Sequence, residues 1–443
     1  MKRTFLLILT SVALVLLLAS CGSNSSMTKA GTGNVTIQTG DATNDQIVKF
    51  ELTINSITLT GAAGTSNTQN LLSQPREVEF EHEAGAFEPL TLANVPPGTY
   101  SGATLMVSNP EVVAVVNGVP TKLAASLNSS TINVTFASNI MIGSSPMFLN
   151  FDLDMTNSLT INGNTATVSP TFKVTATTVP PNGDNEDDDN GEIEDVHGKV
   201  TNVSPNATPP TFTIQTSQST ITFATDGNTR FTDGLNSLSD LKMGEVVEVD
   251  GITKSDGTKL ATKVELEENE NGMEVEGIVS AVTGTPATQI TIAHQVDSSG
   301  SSTPPVTVDV QITSNTQFLV RLDKLNLNLN VPMVFDASHI GKGQRVEVDS
   351  SSTGSPLVAD RVKLREQALI GVISNLNGNT FTLTVNSTSA FASLSGATTV
   401  SVIVLSGGED EVPLTNGATV RIRGLVFFNG TYTLVAAHTD NND

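Results

Sequence analysis

Apolar and polar residues alternate along most of this chain. Val48-Lys-Phe50-Glu-Leu52-Thr-Ile54 keeps its apolar positions two apart, and Phe151-Asp-Leu153-Asp-Met155 does the same. Side chains of period two fall on one face of an extended strand. Val95-Pro-Pro-Gly98-Thr-Tyr100 has the composition of a turn that feeds a strand. After residue 20 no long stretch repeats its apolar residues at helical spacing, and the nearest candidate is the short Leu-rich run Leu235 to Leu241. The pattern predicts an all-β protein: a β-sandwich over residues 34–179, followed by smaller β modules.

Those modules come from a repeat. Val196-His-Gly198-Lys-Val200 recurs as Val275-Glu-Gly277-Ile-Val279 and as Leu369-Ile-Gly371-Val-Ile373. Gly244-Glu-Val246-Val-Glu248-Val-Asp250 recurs as Gly343-Gln-Arg345-Val-Glu347-Val-Asp349, and more loosely from Gly417 to Arg423. Asn228-Thr-Arg-Phe231 matches Asn315-Thr-Gln-Phe318 and has no counterpart in the third copy. Each copy closes on a similar strand, at Ala261, Ala359 and Ala436. Ordered motifs in register mark a triplication, with copies at residues 196–270, 273–366 and 367–443. The second copy carries extra residues, expected at 298–305 and around 325–330. About five strands in each copy predict small OB-like barrels in tandem, whose closure removes sheet edges.

Two resemblances follow from these motifs. The segment from Gly40-Asp41 to Thr60, with the Pro-Gly-Thr-Tyr turn and the strand from Ala103 to Val107, resembles the bacterial module called domain of unknown function 4382. This resemblance implies a transthyretin-like or immunoglobulin-like sandwich and brings no established activity. The Gly-x-Val opening and the Gly-x-x-Val-x-Val strand of the three copies resemble domain of unknown function 5666, which implies a small barrel without an assigned reaction.

The start of the chain adds an address. Lys2 and Arg3 precede an apolar run from Phe5 to Leu18, too short to span a bilayer comfortably. Leu18-Ala19-Ser20-Cys21 then supplies small residues before the only cysteine. This resembles the lipobox of bacterial lipoproteins: residues 1–20 as signal peptide, Cys21 lipidated, and residues 21–33 a flexible tether. Gly22 after the cysteine resembles the pattern of outer-membrane sorting in Gram-negative bacteria. The expectation is an exported protein held in the cell envelope by its lipid.

Composition narrows the chemistry. The net charge is −23, which repels nucleic acid and makes it an unsuitable partner. With Cys21 used by the anchor, no thiol remains for disulfides, Cys-bound zinc or nucleophilic catalysis. The five histidines, His82, His197, His294, His339 and His438, show no metal-ligand spacing, and no nucleophile elbow, Walker loop or dinucleotide fingerprint is present. Glu248/Asp250 recur as Glu347/Asp349 but become Arg421/Arg423 in the third copy, which suits a solvated face better than an acid/base pair. Glu77, Glu79, Glu81 and Glu83 fall on one face of an expected strand, a charged edge that blocks pairing. Carbohydrate platforms stack sugars on Trp or Tyr, and this chain has no Trp and only Tyr100 and Tyr432. Tyr100, after its turn, reads as a packed sandwich residue.

Residues 180–195 read as a linker in which Asp184 to Asp195 holds eight carboxylates and no base. Within it Glu186, Asp188, Asn190 and Glu192 imitate the first half of a calcium loop. The first position is Glu rather than Asp, however, and the twelfth is His197 in place of a bidentate Glu. A solvated spacer is the preferred reading, with calcium the alternative and no other cofactor expected. Taken together, the residues point to a non-catalytic, lipid-anchored envelope protein that binds or displays. Its partners are the membrane through the lipid, and an envelope protein or polysaccharide. A calcium-responsive adhesion protein and a carboxylate-dependent hydrolase are the competing readings.

Overall fold

The computed structural model describes residues 33–42, 45–83, 87–178, 192–216, 220–232, 234–254, 256–267, 273–297, 305–320, 333–410 and 414–441. Cys21, Glu186, Asp188 and Asn190 lie outside the described residues, as do most of the stretches expected to hold the second copy's extra residues. Regular structure is nearly all β, and the described helices are the short segments Phe80–Glu83, Met155–Ser158 and Ala390–Ser395.

The N-terminal domain has two main sheets. One runs Phe172–Thr178, Met147–Asp154, Gly33–Ala42, Phe87–Val95 in spatial order. The other runs Arg76–Glu79, Ile47–Gly61, Gly98–Val116, with Val119–Lys122 and Thr131–Ile142 sharing the far edge of the long Gly98–Val116 strand. A smaller sheet joins Leu159–Asn162, Thr165–Val168 and Ala124–Leu127. Phe50, Leu52 and Ile54 point into a core shared with Val35, Ile37, Leu149 and Phe151 of the facing sheet, as the alternation requires. Tyr100 is buried there and donates its hydroxyl to the Pro96 carbonyl at 2.8 Å. The expected glutamate strand is cut short. It pairs only over Arg76–Glu79, then turns into Phe80–Glu83. Phe80 is drawn into the aromatic core against Phe50 and Phe172, and the Glu79 side chain accepts from the Phe50 and Glu81 amides.

Beyond residue 191 the same strand pairing occurs three times. In each case a first strand (Glu192–Ser204, Met273–Gly284 or Glu366–Asn377) pairs with a hairpin partner (Thr211–Gln215, Ala287–Asp297 or Thr380–Val385). Its other edge pairs with Val246–Thr253, Arg345–Ser350 or Thr419–Phe428. The last strand returns parallel to the third. Lys259–Glu267 meets Thr220–Ala224, and Tyr432–Asn441 meets Thr399–Asp410, closing two five-stranded barrels. In the middle copy the last strand is broken. Leu357–Val358 pairs with Thr307–Gln311 and Arg361–Leu364 with Arg345–Ser350, so the sheet comes round through the break.

The repeated motifs are the joints of this pairing. Gly244, Gly343 and Gly417 each turn the chain at positive φ, which a Cβ would strain. Their amides donate to the carbonyls of Val200, Val279 and Ile373 at 2.8, 2.7 and 2.8 Å, the apolar residues two beyond the first-strand glycines. Those glycines, Gly198, Gly277 and Gly371, occupy equivalent register positions opposite Val247, Val346 and Val420. A Cβ at Gly277 would stand 2.1 Å from the Ala293 carbonyl, and one at Gly371 2.4 Å from that of Thr384. In the Asn-Thr-x-Phe motif, Thr229 and Thr316 both donate at 2.8 Å to the carbonyl of the motif alanine of the last strand region, Ala261 and Ala359. The third copy lacks this motif, and the far end of Thr399–Asp410 pairs there instead.

Two expectations change. Leu235 to Leu241 is not helical: the Asp240 carboxylate accepts from the Asn236 amide and the Ser237 hydroxyl, and successive turns drop Leu235, Leu238 and Leu241 into the first barrel's core. The second and third copies are not separate bodies either. Leu425, Phe427 and Val435 of the third copy belong to the second copy's core. The boundary at 366/367 cuts the strand Glu366–Asn377. Side chains cross the seam: Gln344 donates to the Val426 carbonyl at 2.7 Å, and Gln367 accepts from the Arg345 amide at 2.8 Å.

Candidate functional site

The recurring carboxylates lie on the outward face of the barrels, as alternation requires, but not in water. In the second copy Glu274 faces Asp349, which faces Arg361; one row on, Glu276 faces Glu347, which faces Lys363. The intervening Val275, Val346, Val348 and Val362 are fully buried toward the barrel core. With Arg345 and Arg365 the outward side chains form a grid of four acids and four bases whose charges cancel.

The grid is held by close ion pairs. Arg345 Nε lies 2.7 Å from Glu276, Arg361 Nε 2.8 Å from Asp349 and Lys363 Nζ 2.7 Å from Glu347, and Arg365 reaches Glu347 at 3.3 Å. Glu347 is 1% exposed and Asp349 4%. The solvated face read from the sequence is therefore corrected. Period two tells which side faces the barrel interior, and says nothing of what packs against the outside.

Glu274, Glu347 and Asp349 bring three carboxylate oxygens within 4.8 Å of one another, close enough to share a cation. Lys363 already supplies one, with its ammonium 2.7 Å from Glu347 and 3.7 Å from Asp349. The first copy repeats this on a smaller scale, with Lys263 2.5 Å from Glu265 and 3.9 Å from Glu248. In the third copy Arg423 pairs with Glu366 at 3.1 Å. These clusters hold modules rigid. A carboxylate bound to a fixed cation is poorly placed to accept a proton in an acid/base step.

A different surface stays open. On the outward face of the sandwich's Ile47–Gly61, Gly98–Val116 and Thr131–Ile142 strands, three rows are in register: Ser56–Met106–Thr131, Thr58–Thr104–Asn133 and Thr60–Gly102–Thr135. None of these positions carries a charge in a chain of −23. Met106 is 48% exposed, Thr131, Asn133 and Thr135 are exposed, and the Ser56, Thr58, Thr60 and Thr104 side chains are half-buried. Thr104 donates to Asn133 Oδ1 at 3.0 Å, fixing neighbouring groups across the strands. Sheet geometry spaces the rows about 7 Å apart along the strands and about 4.8 Å across them. Charges gather at one end only, where Lys49 pairs with Glu51 and Glu111, and Lys122 with Glu111. No single motif in the sequence marks this face, because three strands distant in sequence contribute to it.

The remaining candidates are scattered. Glu192 opens the strand Glu192–Ser204, opposite Ile252. His294 is buried, and His339 bonds Asp336 through Nδ1 at 2.7 Å. Among the described residues no helix is long and apolar enough to cross a membrane.

Fold and surface thus define a modular, all-β protein with a neutral sheet face on its first module and buried ion pairs on the strands of its later ones. Residues 32–170 match the family model described as domain of unknown function (DUF4382), and residues 197–265 match that of domain of unknown function (DUF5666). No curated protein matches. Among solved structures the chain is similar to drosophila Unr CSD456, at 11% identity over 54% of this chain and 94% of that one, with a TM-score of 0.14. A likeness that slight carries no argument.

Proposed function

We propose that this protein is a non-catalytic, lipid-anchored module of the bacterial cell envelope that binds a neutral partner through its N-terminal sandwich. The observation that carries the reading is the uncharged face around Thr104 and Asn133. A strongly acidic protein repels anionic partners over most of its surface, and this face offers hydroxyl and amide groups without that penalty. Hydroxyl-rich polysaccharide suits such a face, with hydrogen bonds in place of stacking on Trp, which this chain lacks. The lipobox-like Leu18-Ala19-Ser20-Cys21 supports the anchor. The second and third barrels read as diverged copies of the first, supported by their common glycine register.

Two measurements test this. Cys21→Ser should move the protein from the detergent to the aqueous phase in phase partitioning, and unchanged partitioning sinks the anchor. Soluble protein carrying Thr104→Arg and Asn133→Arg should fail to retain envelope polysaccharide that the unaltered protein retains. Equal retention by both removes the face as the binding surface.

A further inference from the structure

The sandwich and the third barrel meet at residue 45. The Asp45 carbonyl accepts from the Ala390 amide at 2.5 Å, at the start of the Ala390–Ser395 helix. Beside it Gln46 donates to the Thr388 hydroxyl at 2.6 Å. Val48 and Val113 of the sandwich pack there with Ala390 and Leu394 of the third barrel and with Ile278 and Ala293 of the second, in one apolar cluster. The Asp45 carboxylate is caught in this joint. One oxygen accepts from Asn386 Nδ2 at 3.4 Å, and Oδ2 is out of water with no hydrogen-bond partner among the described residues. An ionised carboxylate with a bare, desolvated oxygen is costly, whereas a neutral carboxyl is not.

We propose that Asp45 is an acid-set latch: its protonated form holds the sandwich docked on the third barrel, and its ionisation loosens that joint. Among the described residues, burial and the Asn386 bond are what act on this carboxyl. The 386–390 segment contributes Asn386, Ser387, Thr388, Ser389 and Ala390, all uncharged, and Gln46 adjoins on the sandwich side. Lys49, in the strand that follows, is held by Glu51 and Glu111. Burial pushes the Asp45 carboxyl up to about 6, opposed only by the Asn386 bond. The docked state therefore holds the proton more tightly than the undocked one. Docking is strongest at low pH, weakens as pH rises through the range between the ordinary carboxylate value and about 6, and is flat above it.

Hydrogen exchange of the Ala390 amide reads the latch directly in the soluble chain. After correction for intrinsic exchange, the opening constant should rise about 50-fold from pH 4 to pH 7. In Asp45→Asn, which keeps the shape without the titration, the rise should vanish. Asn386→Ala removes the one donor favouring the ionised form, so the midpoint should move upward. A pH profile identical in wild type and Asp45→Asn overturns the latch. So does a wild-type profile without a step between pH 4 and 7, or an Asn386→Ala midpoint that stays put.

Discussion

Tyr432 donates its hydroxyl to the Lys342 carbonyl at 2.7 Å, so a residue of the third barrel completes a turn of the second. Phe428 and Phe391 stand edgewise or tilted against the same ring. They press so close to the turn that a Cβ at Gly341 would meet Phe428 at 2.7 Å.

The two barrels should accordingly unfold as one cooperative unit. Phe427→Ala, which opens a hole in the second barrel's core from the third, should cost about 3–5 kcal/mol. Calorimetry should show one shared transition shifting, and two transitions of which only one moves would contradict it. Residues 273–366 expressed alone should fail to fold, whereas 192–267 should melt cooperatively alone.

Removing the grid's central base should be as damaging as a core cavity. Lys363→Met leaves Glu347 and Asp349 buried beside one another without their ammonium, a loss of about 3–5 kcal/mol by urea denaturation. Doubling the change with Glu347→Leu should recover part of that loss, because the pair is then removed together.

Glycine substitutions should rank by the space available. Gly277→Ala and Gly371→Ala drive a methyl into a backbone carbonyl. At Gly198 the nearest atoms are 3.0 Å away and belong to the Ile214 side chain. Thermal melts should therefore show Gly198→Ala as the mildest of the three, since a side chain gives way more easily than a strand.

With only two tyrosines, phenolate absorbance gives a clean alkaline titration. Burial raises both, and pushes Tyr432 up to about 12. The unfolded chain releases these protons first, so stability should fall as pH climbs from about 10 toward 12. A hydroxyl titrating at the ordinary value in the folded protein would place Tyr432 outside the seam.

Much of this fold was legible in the residues. Alternation at Phe50, Leu52 and Ile54 located the sandwich core, and the motifs around Gly198 and Gly244 located the strand pairing that recurs three times and closes into a barrel in the first and third copies. What pairing cannot reveal is what lies on the far side of a strand. Glu347 and Asp349 read as solvated because period two marks their outward direction, while their neighbours Arg361, Lys363 and Arg365 become partners only once the last strand is in place. The neutral face was hidden for a similar reason. Thr58, Thr104 and Asn133 are separated by tens of residues and share a row only through register. Leu235, Leu238 and Leu241 mimicked a helix because turns of three residues bury the same spacing.

The parallel return of each closing strand sets an order of assembly. A barrel whose final strand must slip beside its third stays open along Thr220–Ala224 or Thr399–Asp410 until its last residues have been made. The second barrel waits longer still, because Leu425 and Val435 complete its interior from near the end of the chain. The second and third copies thus both wait for the strand Tyr432–Asn441 before either has its native core, and a truncation that removes that strand leaves two modules unfinished rather than one.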